Sequence, residues 1–175
     1  MTDKLDLLSK EELKDLIRIY AKNIYALDGV WFQSVEEKSG MEEAMWHDKN
    51  AWVKFTRTEA KRIKNFLNLP DEAGLEGLEK ALAIRFSALS NPSVSIFREG
   101  DSLIYRINEC RVQSARKAKG MPFHPCAPVG FIEHDGFARV IDGRIVTEMI
   151  SCYPEVTDQG CACCWKFTLK HSAPD

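Results

Sequence analysis

Apolar positions in the first part of the chain recur every three or four residues. Leu13, Ile17, Tyr20, Ile24, Leu27 and Trp31 fall on one helical face. Ser9 followed by Glu12 reads as a capping box at its start, and Ser39-Gly40 ends the pattern. A second run, Met45, Asp48, Trp52, Phe55, Glu59, Ile63 and Phe66, predicts a helix from about Met41 to Leu67, stopped by Leu69-Pro70. A shorter helix is expected over Leu75 to Phe86. The brief turn between the two long helices should pack them as an antiparallel hairpin.

After Asn91-Pro92 the period drops to two. Val94–Phe97 and Leu103–Ile107 flank Glu99-Gly100-Asp101, a hairpin signal. Val112 to Lys119 suits a basic helical turn, and Met121 to Pro128 is too proline-rich for regular structure. Val129 to Ile141 reads as a helix weakened by Gly130 and Gly136. Ile145–Cys152 and Ala162–Leu169 read as strands. The expected fold is α+β: an N-terminal helical hairpin plus a third helix, packed on a C-terminal ββαββ antiparallel sheet. Residues 1–90 form the helical region and 91–175 the cysteine-containing region, expected as one compact unit.

Composition changes this picture little. Of the 175 residues 45% are hydrophobic and 29% charged, so a core can form without staples. A formal net charge of −2 gives no footprint for nucleic acid or membrane, and neither is expected as a partner. The N-terminus lacks the basic and apolar regions of a signal peptide. The expectation is a cytoplasmic protein with reduced thiols.

The cysteines change the picture more. All six, Cys110, Cys126, Cys152, Cys161, Cys163 and Cys164, lie after residue 109. Reduced thiols favour metal binding or reactivity over bridging. Cys110 and Cys152 end predicted strands, Cys163 begins one and Cys126 precedes a helix. Those four could converge on a tetrahedral metal, zinc first. Alternation puts Cys163, Trp165, Phe167 and Leu169 on one strand face and Cys164 on the wetter one, where a reactive thiol would sit. His124, two residues before Cys126, could replace one thiolate. Glu148 is expected on the strand face of Cys152. No histidine is obviously placed to activate a thiol, and His47, His134 and His171 look like ordinary surface or core residues. Against all of these stands the plainer reading of small buried hydrophobes.

Asp28, Asp48 and Glu59 lie on or beside the helical seams, where bare carboxylates do not bury without partners. They either pair with basic residues or line a polar pocket. Glu43 and His47 are four apart rather than three, which argues against a di-iron pattern. Arg111, Arg116, Lys117 and Lys119 either coat a solvated turn or hold a phosphate or carboxylate, and Arg106 and Arg111, which flank the cysteine region, could clamp a carboxylate.

Asp28-Gly-Val-Trp-Phe32, Val35-Glu-Glu-Lys38, Asp48 with Trp52, and Glu59-Ala-Lys-Arg-Ile63 resemble the helical half of a prokaryotic cytosolic family, a domain of unknown function. Cys110-Arg-Val-Gln-Ser-Ala-Arg-Lys117, Pro125-Cys126, Ile141-Asp-Gly-Arg-Ile145, Cys152-Tyr-Pro154 and Cys163-x-Trp-x-Phe167 resemble its second half. Gly160 to Trp165 is also distantly similar to vinyl-reductase-type small-molecule-binding domains and to the aminothiazoline-carboxylate hydrolase family. The first similarity implies zinc at Cys152 and Cys163, with Glu148 a looser match because its spacing to Cys152 departs from the pattern.

The first expectation is thus a small-molecule-binding protein with a zinc site at Cys110, Cys126, Cys152 and Cys163. Its ligand pocket would take Asp28, Trp31, Asp48, Trp52, Glu59 and Arg111. One alternative is a hydrolase or reductase of small carboxylated or heterocyclic substrates, with Glu59 or Asp48 as acid/base, Cys164 as nucleophile and Arg111 or Arg116 as anchor. The other is a structural protein with buried free cysteines. Whether the chain forms a homo-oligomer stays open at this point.

Overall fold

The computed structural model describes residues 3–170; the predicted role of His171 lies outside them. After a short 3-10 turn the chain forms α1 (Lys10–Ser39), α2 (Met41–Phe66), α3 (Gly74–Ile84) and α4 (Phe86–Ser90). Strands β1 (Ser93–Glu99) and β2 (Ser102–Glu109) follow, then α5 (Arg111–Ala118), α6 (Ala127–Ile141), β3 (Ile145–Cys152) and β4 (Cys163–Leu169). The architecture is α+β, with the strands in the C-terminal half in the antiparallel order β1-β2-β4-β3.

Local chemistry sets the boundaries. Ser9 caps α1 reciprocally with Glu12: its hydroxyl accepts from Glu12 N, and Glu12 Oε2 accepts from Ser9 N at 2.8 Å. Gly40, at φ +87°, makes the whole turn between α1 and α2. The predicted third helix is two, because Arg85 is extended between α3 and α4. The predicted basic turn is the two-turn helix α5, so two helices rather than one separate the hairpins.

The main core lies between the inner sheet face and α3, α6 and the end of α2. It includes Leu78, Leu82, Tyr105, Phe137, Trp165 and Phe167. Helix α6 comes so close that a Cβ on Gly130 would sit 2.8 Å from the Trp165 ring, which explains a glycine inside this helix. A second cluster joins α1, α2 and α4 through Ala21, Phe32, Met45, Trp52 and Phe86.

The predicted seam of α1 is not its buried face. Ile17, Tyr20, Ile24, Leu27 and Trp31 are exposed, whereas Ala21 and Phe32 are buried and Tyr25 and Asp28 half-buried. The inward row is thus offset by one residue, about 100° around the helix. Trp46 and Phe66 are exposed on α2 as well.

One side chain ties the layers together. Arg85 is wholly buried, its Nη2 2.9 Å from Glu59 on α2 and 2.8 Å from Glu133 on α6. Its guanidinium lies 4.5 Å over the Phe137 ring. Glu59 also accepts from Phe86 N at the start of α4. Burial, countered by Arg85, leaves the Glu133 carboxyl raised to about 7. Arg85→Ala strands a buried Glu133 and a half-buried Glu59, so urea unfolding should show a loss of about 3–5 kcal/mol. The loss should be larger at pH 8 than at pH 5, where Glu133 can take up a proton.

Candidate functional site

The predicted Cys126 and Asp48 come together around a histidine from the proline-rich loop. That loop ends where Ala127 N donates to Tyr153 O at 2.9 Å, fixing the start of α6. Cys126 is the residue just before α6. His124 Nδ1 lies 3.1 Å from Cys126 Sγ, and its Nε2 lies 3.3 Å from Asp48 Oδ2. Asp48 is buried on α2, and the Phe32 ring packs 4.6 Å from the imidazole.

Gln113 on α5 holds this group from the other side. Its Nε2 donates to His124 O at 2.8 Å and lies 3.1 Å from Cys126 Sγ, while its Oε1 accepts from His124 N at 3.0 Å. Helix α5 is anchored in turn by Asn91, whose Oδ1 accepts from Arg111 N. Thiol, imidazole and carboxylate thus form a line, with the amide locking the loop. A nucleophile, a base and an orienting third group in hydrogen-bond reach are the requirements of an activated thiol.

The line opens into a cavity of about 300 Å³ lined by Asp28, Asp48, Trp52, Arg111, His124 and Cys126 among others. Burial pushes the Cys126 thiol well above its usual range, and the nearby Cys110 and Cys163 thiols add to this. The resting thiol is therefore protonated, and its Sγ and Asp48 Oδ2 stand within reach of the two ring nitrogens of His124. Across the cavity, burial raises the Asp28 carboxyl to about 7, helped by Asp48 and Glu133 and opposed by a hydrogen bond from Trp52.

Of the expected pocket residues, Asp28, Asp48, Trp52 and Arg111 line this cavity. Trp31 lines a neighbouring one with Asp28 and Trp52. Glu59 lines neither, since Arg85 and Phe86 N engage it. Arg116 is no free anchor: it is buried and bidentate to Glu36 at 2.7 Å. Arg106 pairs with Asp158 at 2.9 Å. His134 is neutral, stacked 4.4 Å from Trp165 and lowered to about 3 by burial and Arg85.

The cysteines divide into four and two. Cys152 and Cys163 are in the main core, with Cys110 and Cys126 packed against it. Cys161 and Cys164 meet Ile104 in a separate cluster. Cys164 is buried rather than wet, and burial raises its thiol. The register of β3 shifts between Met149 and Ser151, so Cys152 opposes Cys163, whereas Glu148 opposes Lys166. Glu148 is therefore exposed and does not share the face of Cys152. Among the described residues no group of three or more His, Cys, Asp or Glu side chains could hold a metal ion. Among the described residues no helix is long and apolar enough to cross a membrane.

The sequence signal for the thiol line is His124-Pro-Cys126, a spacing that equally suits a metal-ligand pair. Asp48 is 76 residues away in sequence, and Gln113 carried no charge or motif to mark it.

Protonated Asp28 has a consequence for stability. Its folded pKa exceeds the unfolded value, so the native state binds more protons between about pH 4 and 7, and stability falls as pH rises through that window. Asp28→Asn should flatten the decline and stabilise the protein at pH 8 by a few kcal/mol at most, at about 1.4 kcal/mol per pKa unit. Chemical denaturation at pH 5 and pH 8 measures both slopes; an unchanged slope in the variant would refute the assignment.

No curated protein and no solved structure matches the chain. One family model does, over residues 6–169, and it is described as a family of unknown function (DUF6125). Since that match spans nearly the whole chain, the protein belongs to this family.

Proposed function

We propose that the protein binds a small molecule in the cavity and acts on it as a thiol-dependent hydrolase. The observation that supports this is the line Cys126 Sγ–His124 Nδ1 at 3.1 Å and His124 Nε2–Asp48 at 3.3 Å, opening into that cavity. His124 takes the thiol proton as Cys126 Sγ bonds to a carbonyl carbon of the substrate. The substrate's bond to its leaving group breaks, and His124 returns the proton to that group. Water, deprotonated by His124, then cleaves the thioester and restores the thiol. Asp48 holds the imidazole tautomer and stabilises the imidazolium. Gln113 Nε2, beside Sγ, is placed to donate to the oxyanion. Trp52 and Tyr25 give the cavity apolar walls, and Asp28, carrying a proton below about pH 7, adds a donor.

A small activated ester such as p-nitrophenyl acetate tests the reading. A burst of about one equivalent of nitrophenol, with the acetyl group on Cys126 by mass spectrometry, is the expected result. Cys126→Ala should abolish the burst, and His124→Ala should slow it by about 100-fold or more. A burst that survives in Cys126→Ala, or no burst at all, overturns the proposal.

A second reading is the expected zinc at Cys110, Cys126, Cys152 and Cys163; Cys152 opposite Cys163 in the sheet supports one pair of that set, while the four do not form a ligand group among the described residues. Metal analysis of protein purified without added metal separates the two. Near-stoichiometric zinc, lost in Cys110→Ser and Cys152→Ser, favours this reading; metal-free folded protein favours the first.

A further inference from the structure

The seam predicted for α1 is left uncovered. Ile17, Tyr20, Ile24, Leu27 and Trp31 are spaced 3-4-3-4, the a/d pattern of a coiled coil. Tyr20 is 63% and Leu27 72% exposed, with Val30 beside them at 60%. No residue from Lys10 to Tyr20 is buried, so α1 begins with three turns that add nothing to the core. A helix segment of that length is marginal in water unless something covers its apolar side. Ile24, Leu27 and Trp31 also wall a second cavity, of about 450 Å³, whose other side is Ala51, Trp52 and Phe55.

We propose that this seam is a homodimer interface, on which a second copy of the chain lays its own α1 antiparallel, with the two-fold axis near Ile24. The second copy's Ile17–Tyr20 turn then covers the second cavity, and by symmetry the first copy's turn covers its counterpart. A seam that is apolar along its whole length is self-complementary, as an isologous contact requires. From Ile17 to Trp31 it runs about 21 Å. Its five side chains offer roughly 600 Å² of mostly apolar surface per copy, close to the ~800 Å² per partner of a stable interface.

The second cavity sets the orientation. In a parallel pair each residue faces its own counterpart, and only an antiparallel partner brings its Ile17–Tyr20 turn over Leu27 and Trp31. Charge does not oppose this, since Lys14 and Arg18 pair with Glu11 and Asp15 on their own helix and Glu36 pairs with Arg116. The net charge of −2 disfavours an anionic lipid surface as the occupant.

Sedimentation velocity on the full chain at micromolar concentration tests the proposal. The wild type should sediment at twice its 19.9 kDa mass. Tyr20→Glu/Leu27→Glu should sediment as one chain with unchanged circular dichroism, since both positions face solvent in the single copy. The milder Leu27→Ser should weaken the dimer about 10-fold or more. Upon mild oxidation Ile24→Cys should cross-link two copies, while the wild type and Leu13→Cys should not. A monomeric wild type overturns the proposal, whether or not it binds anionic vesicles. So does a double variant that stays dimeric, and cross-linking through Leu13→Cys as readily as through Ile24→Cys overturns the antiparallel arrangement.

Discussion

The position of α6 depends on one buried cation. Arg85 sits where α3 breaks into α4, and from there it reaches a carboxylate on α2, another on α6 and the face of Phe137. A guanidinium with no solvent contact is tolerated because two carboxyl groups meet it, Glu59 and a Glu133 that ionises only around pH 7. The arrangement is specific in a way that apolar packing is not: sliding α6 along α2 would separate charges in a low-dielectric interior. Since Cys126 stands at the head of α6 and Asp48 on α2, the same constraint sets the spacing that His124 spans.

The interior around the cavity is acidic. Asp28, Asp48 and Glu133 act on one another, and the neighbouring thiols are raised by burial and by each other. An environment of this kind suppresses thiolate at rest. The Cys126 thiol is thus unlike one kept ionised by nearby cations.

Much of the fold was legible in the sequence. Capping by Ser9 and Glu12, the glycine turn at Gly40 and the alternation of the strands act locally, and local rules read them well. The faces were harder. The apolar stripe on α1 was visible, but the side chains that face the protein include small Ala21 and polar Asp28, which a hydrophobicity pattern ranks low. The bulge in β3 reversed the alternation between Glu148 and Cys152, a change that periodicity does not reveal. At the site, Asp28, Asp48 and Cys126 stand out as polar or reactive residues, and Trp52 as an apolar wall. Gln113 does not, because its role is a pair of hydrogen bonds to the backbone of a loop.

Glu133 and Asp28 both hold carboxyl protons near neutrality in the folded chain, whereas ordinary unfolded carboxyls do not. Folding near pH 6 therefore withdraws protons from the surrounding buffer. The heat of the transition then includes the buffer's own ionisation enthalpy, so calorimetric enthalpies obtained in phosphate and in a Tris-like amine differ for the same protein at the same pH. The two acids take up more protons than His134, neutral once folded, gives back, so the folding reaction is a proton-consuming one.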